Sequence, residues 1–298
     1  MKFYRIAFLL FLIIRIPAFA QTEYKVHYDK EHWTEYIEGN MPLVISVPHG
    51  GATLLDSISL RSCKGAVTVT DSRTIELARE IQKSFQEKYN LTPHIVICHL
   101  SRKNVDQNRE MVEGTCGNEK MEKPWKQFHH YIDSALSLAV GKYGNSVYID
   151  LHGHGHPNQR LELGYLLKAE HLVDLDKTLN DDSVSKKTSL NNLLVSKPVL
   201  LEDLLIGDNA FGSLIADKGF AAVPSKQDKA PLVSERFFNG GYNTSYYTSP
   251  KYPHVFGFQI ESNYKGVRDP LGRPLFAAAF SETILTYLEK TAGIKLKK

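Results

Sequence analysis

Cysteine is scarce: the 298 residues hold three, Cys63, Cys98 and Cys116, and none sits in a CxxC pair. That excludes a disulfide-framed miniprotein and a sulfur-rich zinc site. The odd count leaves at least one thiol unpaired. Cys98 lies in the apolar run Ile95-Val96-Ile97-Cys98 and reads as a buried strand residue, while a bridge between Cys63 and Cys116 is left open. Charge of one sign is missing too. Residues 1–20 carry Lys2, Arg5 and Arg15 and no acid, so without them the 36 bases fall to 33 against 33 acids. A neutral body without a long Lys/Arg run argues against a nucleic-acid partner. There is no GxxxxGK[ST] phosphate loop and no GxSxG nucleophile elbow. Gly153-x-Gly155 has Asn158 where a dinucleotide fingerprint needs its third glycine. After the first twenty residues no apolar run is long enough to span a bilayer.

What is present begins with a leader. Lys2 and Arg5 precede the apolar stretch Ile6 to Ile14, and Ala18-Phe19-Ala20 forms a small-x-small cleavage site before Gln21. This predicts a signal peptide over 1–20 and a secreted or periplasmic protein. A membrane anchor is the competing reading, and Arg15 and Pro17 cut the run too short for one. The remainder, 42% hydrophobic over the whole chain, is ordinary globular composition, and 21–298 reads as one domain.

Leu43 to Val47, His94 to His99, Ser146 to Leu151, Leu163 to Leu167 and Val255 to Ile260 read as strands. Helices are expected over Ser72 to Tyr89, with Ser72 as cap, over Pro124 to Tyr143, with proline at its start, and over Phe276 to Lys290. Such alternation predicts α/β architecture with a mostly parallel sheet between helical layers. The polar stretch Asp174 to Lys197 reads as an excursion from the core, either a lid or a surface insertion.

Three expected strands end in chemically loaded turns: Pro48-His49-Gly50-Gly51, Asp150-Leu151-His152-Gly153-His154-Gly155-His156, and Glu261-Ser262-Asn263. Thr68-Val69-Thr70-Asp71 delivers a further carboxylate just before a helix. Ligands of open α/β sheets bind beyond the carboxyl ends of the strands. Histidines and carboxylates converging there are what a mononuclear zinc site needs. A loop histidine is more often a hydrogen-bonded surface residue, and His154 and His156 cannot all join His152 on one ion. Ser101-Arg102 and Asp106-Gln107-Asn108-Arg109 follow the His94 strand and suit a carboxylate ligand, against the bland alternative of a surface ion-pair cluster.

At these residues the chain resembles the N-formylglutamate amidohydrolase (deformylase) family, related to zinc carboxypeptidases. The likeness rests on six motifs in order: Pro48-His49-Gly50-Gly51, Thr70-Asp71, Ser101-Arg102 with Asp106-Gln107-Asn108-Arg109, Asp150-Leu151-His152, Phe238-Asn239-Gly240-Gly241 and Gln259-Ile260-Glu261. It implies an α/β, three-layer phosphorylase/hydrolase-like fold, with a mostly parallel or mixed central sheet and helices on both faces. It implies one zinc ion on His49, Asp71 and His152, and Glu261 as the general base that activates water and later protonates the leaving amine. Arg102 would polarise a carbonyl or hold a carboxylate, Asn108 and Arg109 would anchor a carboxylate, and Gly240 and Gly241 would line the substrate. Glu110 stands where the family usually carries proline. The implied substrate is a small molecule or short peptide bearing a carboxylate. A secreted carboxypeptidase or cell-wall peptide amidase, and a metal-containing binding protein without turnover, are the rival readings.

Overall fold

The computed structural model describes residues 24–296, so the expected leader lies outside the described residues. In chain order the sheet strands are β1 (Val26–Tyr28), β2 (Thr34–Ile37), β3 (Leu43–Val47), β4 (His94–Cys98), β5 (Ser146–Gly153), β6 (Leu161–Gly164), β7 (Ala222–Val223) and β8 (Val255–Ser262). They form one mixed sheet in the order β1-β2-β4-β3-β5-β8-β6-β7. Its centre, β4-β3-β5-β8, is parallel throughout, and β2 and β6 run antiparallel on either side of it. Central parallel strands are covered on both faces, which is why β3, β4 and β8 are buried end to end and read as nearly continuous apolar runs.

Alternating side chains feed two separate cores. Ile45, Val47, Ile149, Leu151 and Phe258 pack against helix α1 (Thr74–Tyr89) and the C-terminal helix Gly272–Lys290. Short helix α2 (Met111–Thr115) precedes α3 (Glu119–Tyr143), whose Phe128, Ile132 and Ala135 cover Val44, Val96 and Tyr148 on the opposite face. The result is the three-layer α/β arrangement that the alternation of elements predicts.

Differences from expectation have local causes. Helix α1 starts at Thr74 after Arg73, whose φ is 69°, so Ser72 does not cap it. Helix α3 starts five residues before Pro124, because Asn118 caps it by accepting from the Lys120 N–H and Glu119 and Glu122 suit its first turn. Strand β6 ends at Gly164, since Leu166 at φ 64° cannot continue a strand. The polar 174–197 stretch folds into three short helices. Its far end is embedded: Leu190 and Leu193 are buried, and Ser189 and Asn192 donate to the carbonyls of Gly257 and Val255. Those contacts lie at the opposite end of β8 from Glu261. Cys63 and Cys116 are joined in a disulfide, and Cys98 is buried, its thiol pushed up to about 12 by burial.

His94 carries a stability consequence. Its buried Nδ1 accepts from the Gly39 N–H at 3.1 Å and from the Tyr36 hydroxyl at 2.9 Å, which fixes a neutral ring. Burial pushes it down to about 4, and pushes buried His129 down to about 3. As pH falls below the ordinary histidine value the unfolded chain takes up these protons first, so stability present at neutral pH is lost through that window. Each group contributes up to about 1.4 kcal/mol per pH unit there. Urea unfolding at pH 7 and pH 5 checks this: His94→Gln is expected to have the smaller loss of unfolding free energy between the two.

Candidate metal centre

The chain leaves β3 for β4 on one side and leaves β4 for β5 on the other, so the sheet's switch point falls between β3 and β5. Open α/β sheets place ligands in the crevice at that point. His49 follows the end of β3 there, and His152 is the next-to-last residue of β5. Asp71 is brought in from the segment before α1 by its own N–H, which donates to the His49 carbonyl at 3.0 Å. The donor atoms of His49, Asp71 and His152 lie within 4.8 Å of one another, and all three residues are buried.

Each imidazole is oriented from behind by a buried carboxylate. His49 Nε2 lies 2.6 Å from Asp106 Oδ1, and His152 Nε2 lies 2.8 Å from Asp150 Oδ2. With Nε2–H donated to Asp106, His49 Nδ1 keeps its lone pair. That atom is buried, has no hydrogen-bond partner, and stands 3.5 Å from Asp71 Oδ2. His152 Nδ1 approaches the same oxygen at 2.9 Å. An orphaned acceptor, a second ring nitrogen and a carboxylate oxygen facing one point fit a divalent cation. The carboxylate–imidazole–metal order is the usual way such ligands are held.

The electrostatics agree with the geometry. Burial works against the Asp71 charge, yet the hydrogen bond with His152 and the nearby His49 ring hold its carboxyl well below the usual range. Burial would also lower His152, but Asp150 and Asp71 at its two ring nitrogens push it well above the usual histidine range. Glu261 pairs directly with His152 across β5 and β8, so the two side chains share a face. Its burial, with Asp71, Glu162 and Asp150 nearby, pushes it up to about 8.

The remaining expected residues divide. Arg102 Nε donates to Asp106 Oδ2 at 2.9 Å, so it stands behind the carboxylate that orients His49. Asn108 is buried, with Oδ1 accepting from the Asn243 N–H and Nδ2 3.0 Å from His152 Nε2. Gly241 packs on Asn108 so closely that a Cβ would come 2.5 Å from its Nδ2. Gly240, at φ 117°, lies against Leu166. Arg109 is a third exposed and paired with Glu113 at 3.1 Å. His154, His156 and Glu162 form a second close cluster. There His154 Nε2 lies 2.9 Å from the Arg160 carbonyl and Nδ1 accepts from the His156 N–H, so no lone pair of His154 faces outward.

Two supports escape sequence reasoning, and one was within its reach. Asp150 sits two residues before His152 on a strand, hence on the same face, and that spacing alone makes it the carboxylate behind the ring. Arg268 has no local signature. Buried, it donates to the carbonyls of Ser72, His154 and Ser262, tying together the three segments that carry Asp71, His152 and Glu261. Gly153 makes room for it: a Cβ there would come 2.5 Å from the guanidinium carbon. Arg61, also buried, bonds the Arg102 carbonyl at 3.0 Å and lies 3.6 Å from Asp106.

Among solved structures the chain is similar to N-formylglutamate amidohydrolase from Ralstonia eutropha JMP134, with 12% identity and a TM-score of 0.48, over 89% of this chain and 95% of that one. It is also similar to gene product Atu2144 from Agrobacterium tumefaciens, with 13% identity and a TM-score of 0.46, over 85% of this chain and 93% of that one. No family model matches the chain, and no curated protein matches it.

The supporting carboxylates are directly testable. Asp106→Asn keeps the shape at His49 and removes the charge, and is expected to weaken Zn²⁺ binding roughly 10- to 100-fold in a chelator competition. His49→Ala removes a ligand and is expected to abolish stoichiometric binding.

Proposed function

We propose that this chain is an exported zinc-dependent amidohydrolase that cleaves the amide bond of a carboxylate-bearing N-acyl amino acid or small peptide. The observation that carries the reading is the buried convergence of His49 Nδ1, Asp71 and His152 Nδ1, with Glu261 in register beside them. A divalent cation bound there would supply a Lewis acid for carbonyl hydrolysis. Glu261 takes the proton of the attacking water and returns it to the departing amine. Burial raises its proton affinity to about 8, which suits the return of the proton, and a cation held beside it would lower that affinity for the first step. Arg102, which donates to the Asp106 carboxylate behind His49, serves the substrate carbonyl or a carboxylate. Asn108, Arg109 and the Gly240-Gly241 turn form the substrate-facing side. Asp106 and Asp150 keep the two imidazoles in the tautomer that turns Nδ1 inward. Residues 21–298 form the mature domain after loss of the 1–20 leader. A disulfide between Cys63 and Cys116 supports maturation outside the cytosol. Among the described residues no helix is long and apolar enough to cross a membrane.

The test is Glu261→Gln, which preserves size and removes the base. Its zinc content should equal that of the parent while amide hydrolysis, assayed on a panel of N-acyl amino acids and short peptides, falls by about 10²- to 10⁴-fold. Undiminished turnover in the zinc-loaded variant would overturn the assignment.

A further inference from the structure

The face that carries His152 and Glu261 continues one strand further. Glu162 of β6 is the direct partner of Glu261, so His152, Glu261 and Glu162 form one row across β5, β8 and β6. At about 4.8 Å per strand, Glu162 lies roughly 10 Å along that row from the candidate metal ligand. It is buried, and both its oxygens accept: Oε1 from His156 Nδ1 at 2.7 Å and Oε2 from the Phe238 N–H at 2.9 Å.

The two residues that Glu162 fixes also brace each other. The rings of His156 and Phe238 stack with centroids 4.7 Å apart and planes 6° from parallel. Phe238 is nevertheless 43% exposed. With one face covered by the imidazole, that exposure belongs to its other face and its edge. The chain on either side is tied down. Glu235 accepts from Arg160 at 2.6 Å, and the Asn239 carbonyl accepts from the Leu166 N–H at 2.6 Å. Beyond Phe238 the backbone passes so close over β6 that a Cβ on Gly164 would come 2.5 Å from the Gly240 nitrogen. It then reaches Asn108, whose Nδ2 is 3.0 Å from His152 Nε2. The segment therefore runs beside the row from β6 back to the candidate metal ligand, with the phenyl ring at its far end.

A lone surface phenylalanine calls for no explanation. Here a buried carboxylate, costly to keep away from water, gives both oxygens to fixing the ring. A ring fixed in advance loses little freedom when a second ring lies on its open face, and offset stacking adds to the area buried. Its position selects the ligand. A small acyl group held at the metal ligands does not reach 10 Å along the row. An extended peptide, at about 3.3–3.6 Å per residue, covers that distance in three residues.

We propose that the open face of Phe238, backed by His156, is a subsite for an aromatic side chain of a short peptide, about three residues along from the bond at the metal centre. Its place in turnover rests on the hydrolase reading; its capacity to bind a ring does not.

The probes are acetylated tetra-alanine and its four single-phenylalanine replacements, titrated by calorimetry into the zinc-loaded full mature chain. One placement of phenylalanine is expected to tighten binding about tenfold over tetra-alanine, and that placement gives the register. Phe238→Ala should erase the gain. Phe238→Tyr, which keeps the flat ring, should retain it, and Phe238→Leu, which keeps bulk alone, should recover only part. Equal affinity of the parent for all five peptides, or a gain that survives Phe238→Ala, overturns the subsite. Hydrolysis of the same peptides and of N-acyl amino acids is followed in parallel. If the parent cleaves none of them, while the gain from phenylalanine appears and is lost in Phe238→Ala, the hydrolase reading falls and the subsite stands.

Discussion

Buried charge is the constraint that organises this molecule. Around the switch point Asp71, Asp106, Asp150, Glu162 and Glu261 are all buried, and the guanidinium groups among them are Arg61, Arg102 and Arg268. With neutral histidines the carboxylates exceed the guanidinium groups by two. Uncompensated charge is very costly away from water, so the protein must answer that surplus with protons or with a cation. The upward push on His152 and Glu261 is the proton answer, and both groups sit at the point where the ring nitrogens converge. A divalent ion would meet the same demand with one particle.

The rest of the fold supplies the conditions for holding that surplus. The apolar half of each central strand packs in two cores, while the face under α3 turns polar toward the carboxyl ends: Ser46, Asp150, His152 and Glu261 follow Val44, Tyr148 and Val255. Ser46 links the two regimes, with its hydroxyl 2.6 Å from the Tyr148 hydroxyl and 2.5 Å from Asp150. Asp150 is thereby oriented from below by groups that are themselves packed, and the ring of His152 inherits that rigidity.

Legibility in the sequence followed burial. Strands β3, β4, β5 and β8 were readable because parallel central strands are apolar in long runs, and α1 because one face is buried at helical spacing. Strand β2 was not, since Thr34-Glu35-Tyr36-Ile37 reads as polar. Its Glu35 is buried only because Arg79 and His99 reach it from α1 and the end of β4, a pairing no local pattern reveals. The same division holds at the site. His49, Asp71, His152 and Glu261 stand in turns where strands end and glycine or polar residues cluster, so their convergence was foreseeable. Arg268 and Arg61 act on backbone carbonyls of distant segments, and carbonyls carry no sequence signature.

The disulfide has a bearing on how such a centre is assembled. Cys63 lies in the loop that leads to Asp71, and Cys116 closes the loop that supplies Arg102, Asp106 and Asn108, so one covalent tie fastens both approaches to the candidate centre. Closing a loop of 53 residues removes chain entropy worth about 4 kcal/mol from the unfolded state. The bridge therefore narrows the unfolded ensemble at the two loops whose side chains later meet around one point, so that much of the search for their common geometry is done by a covalent bond before the sheet closes over them.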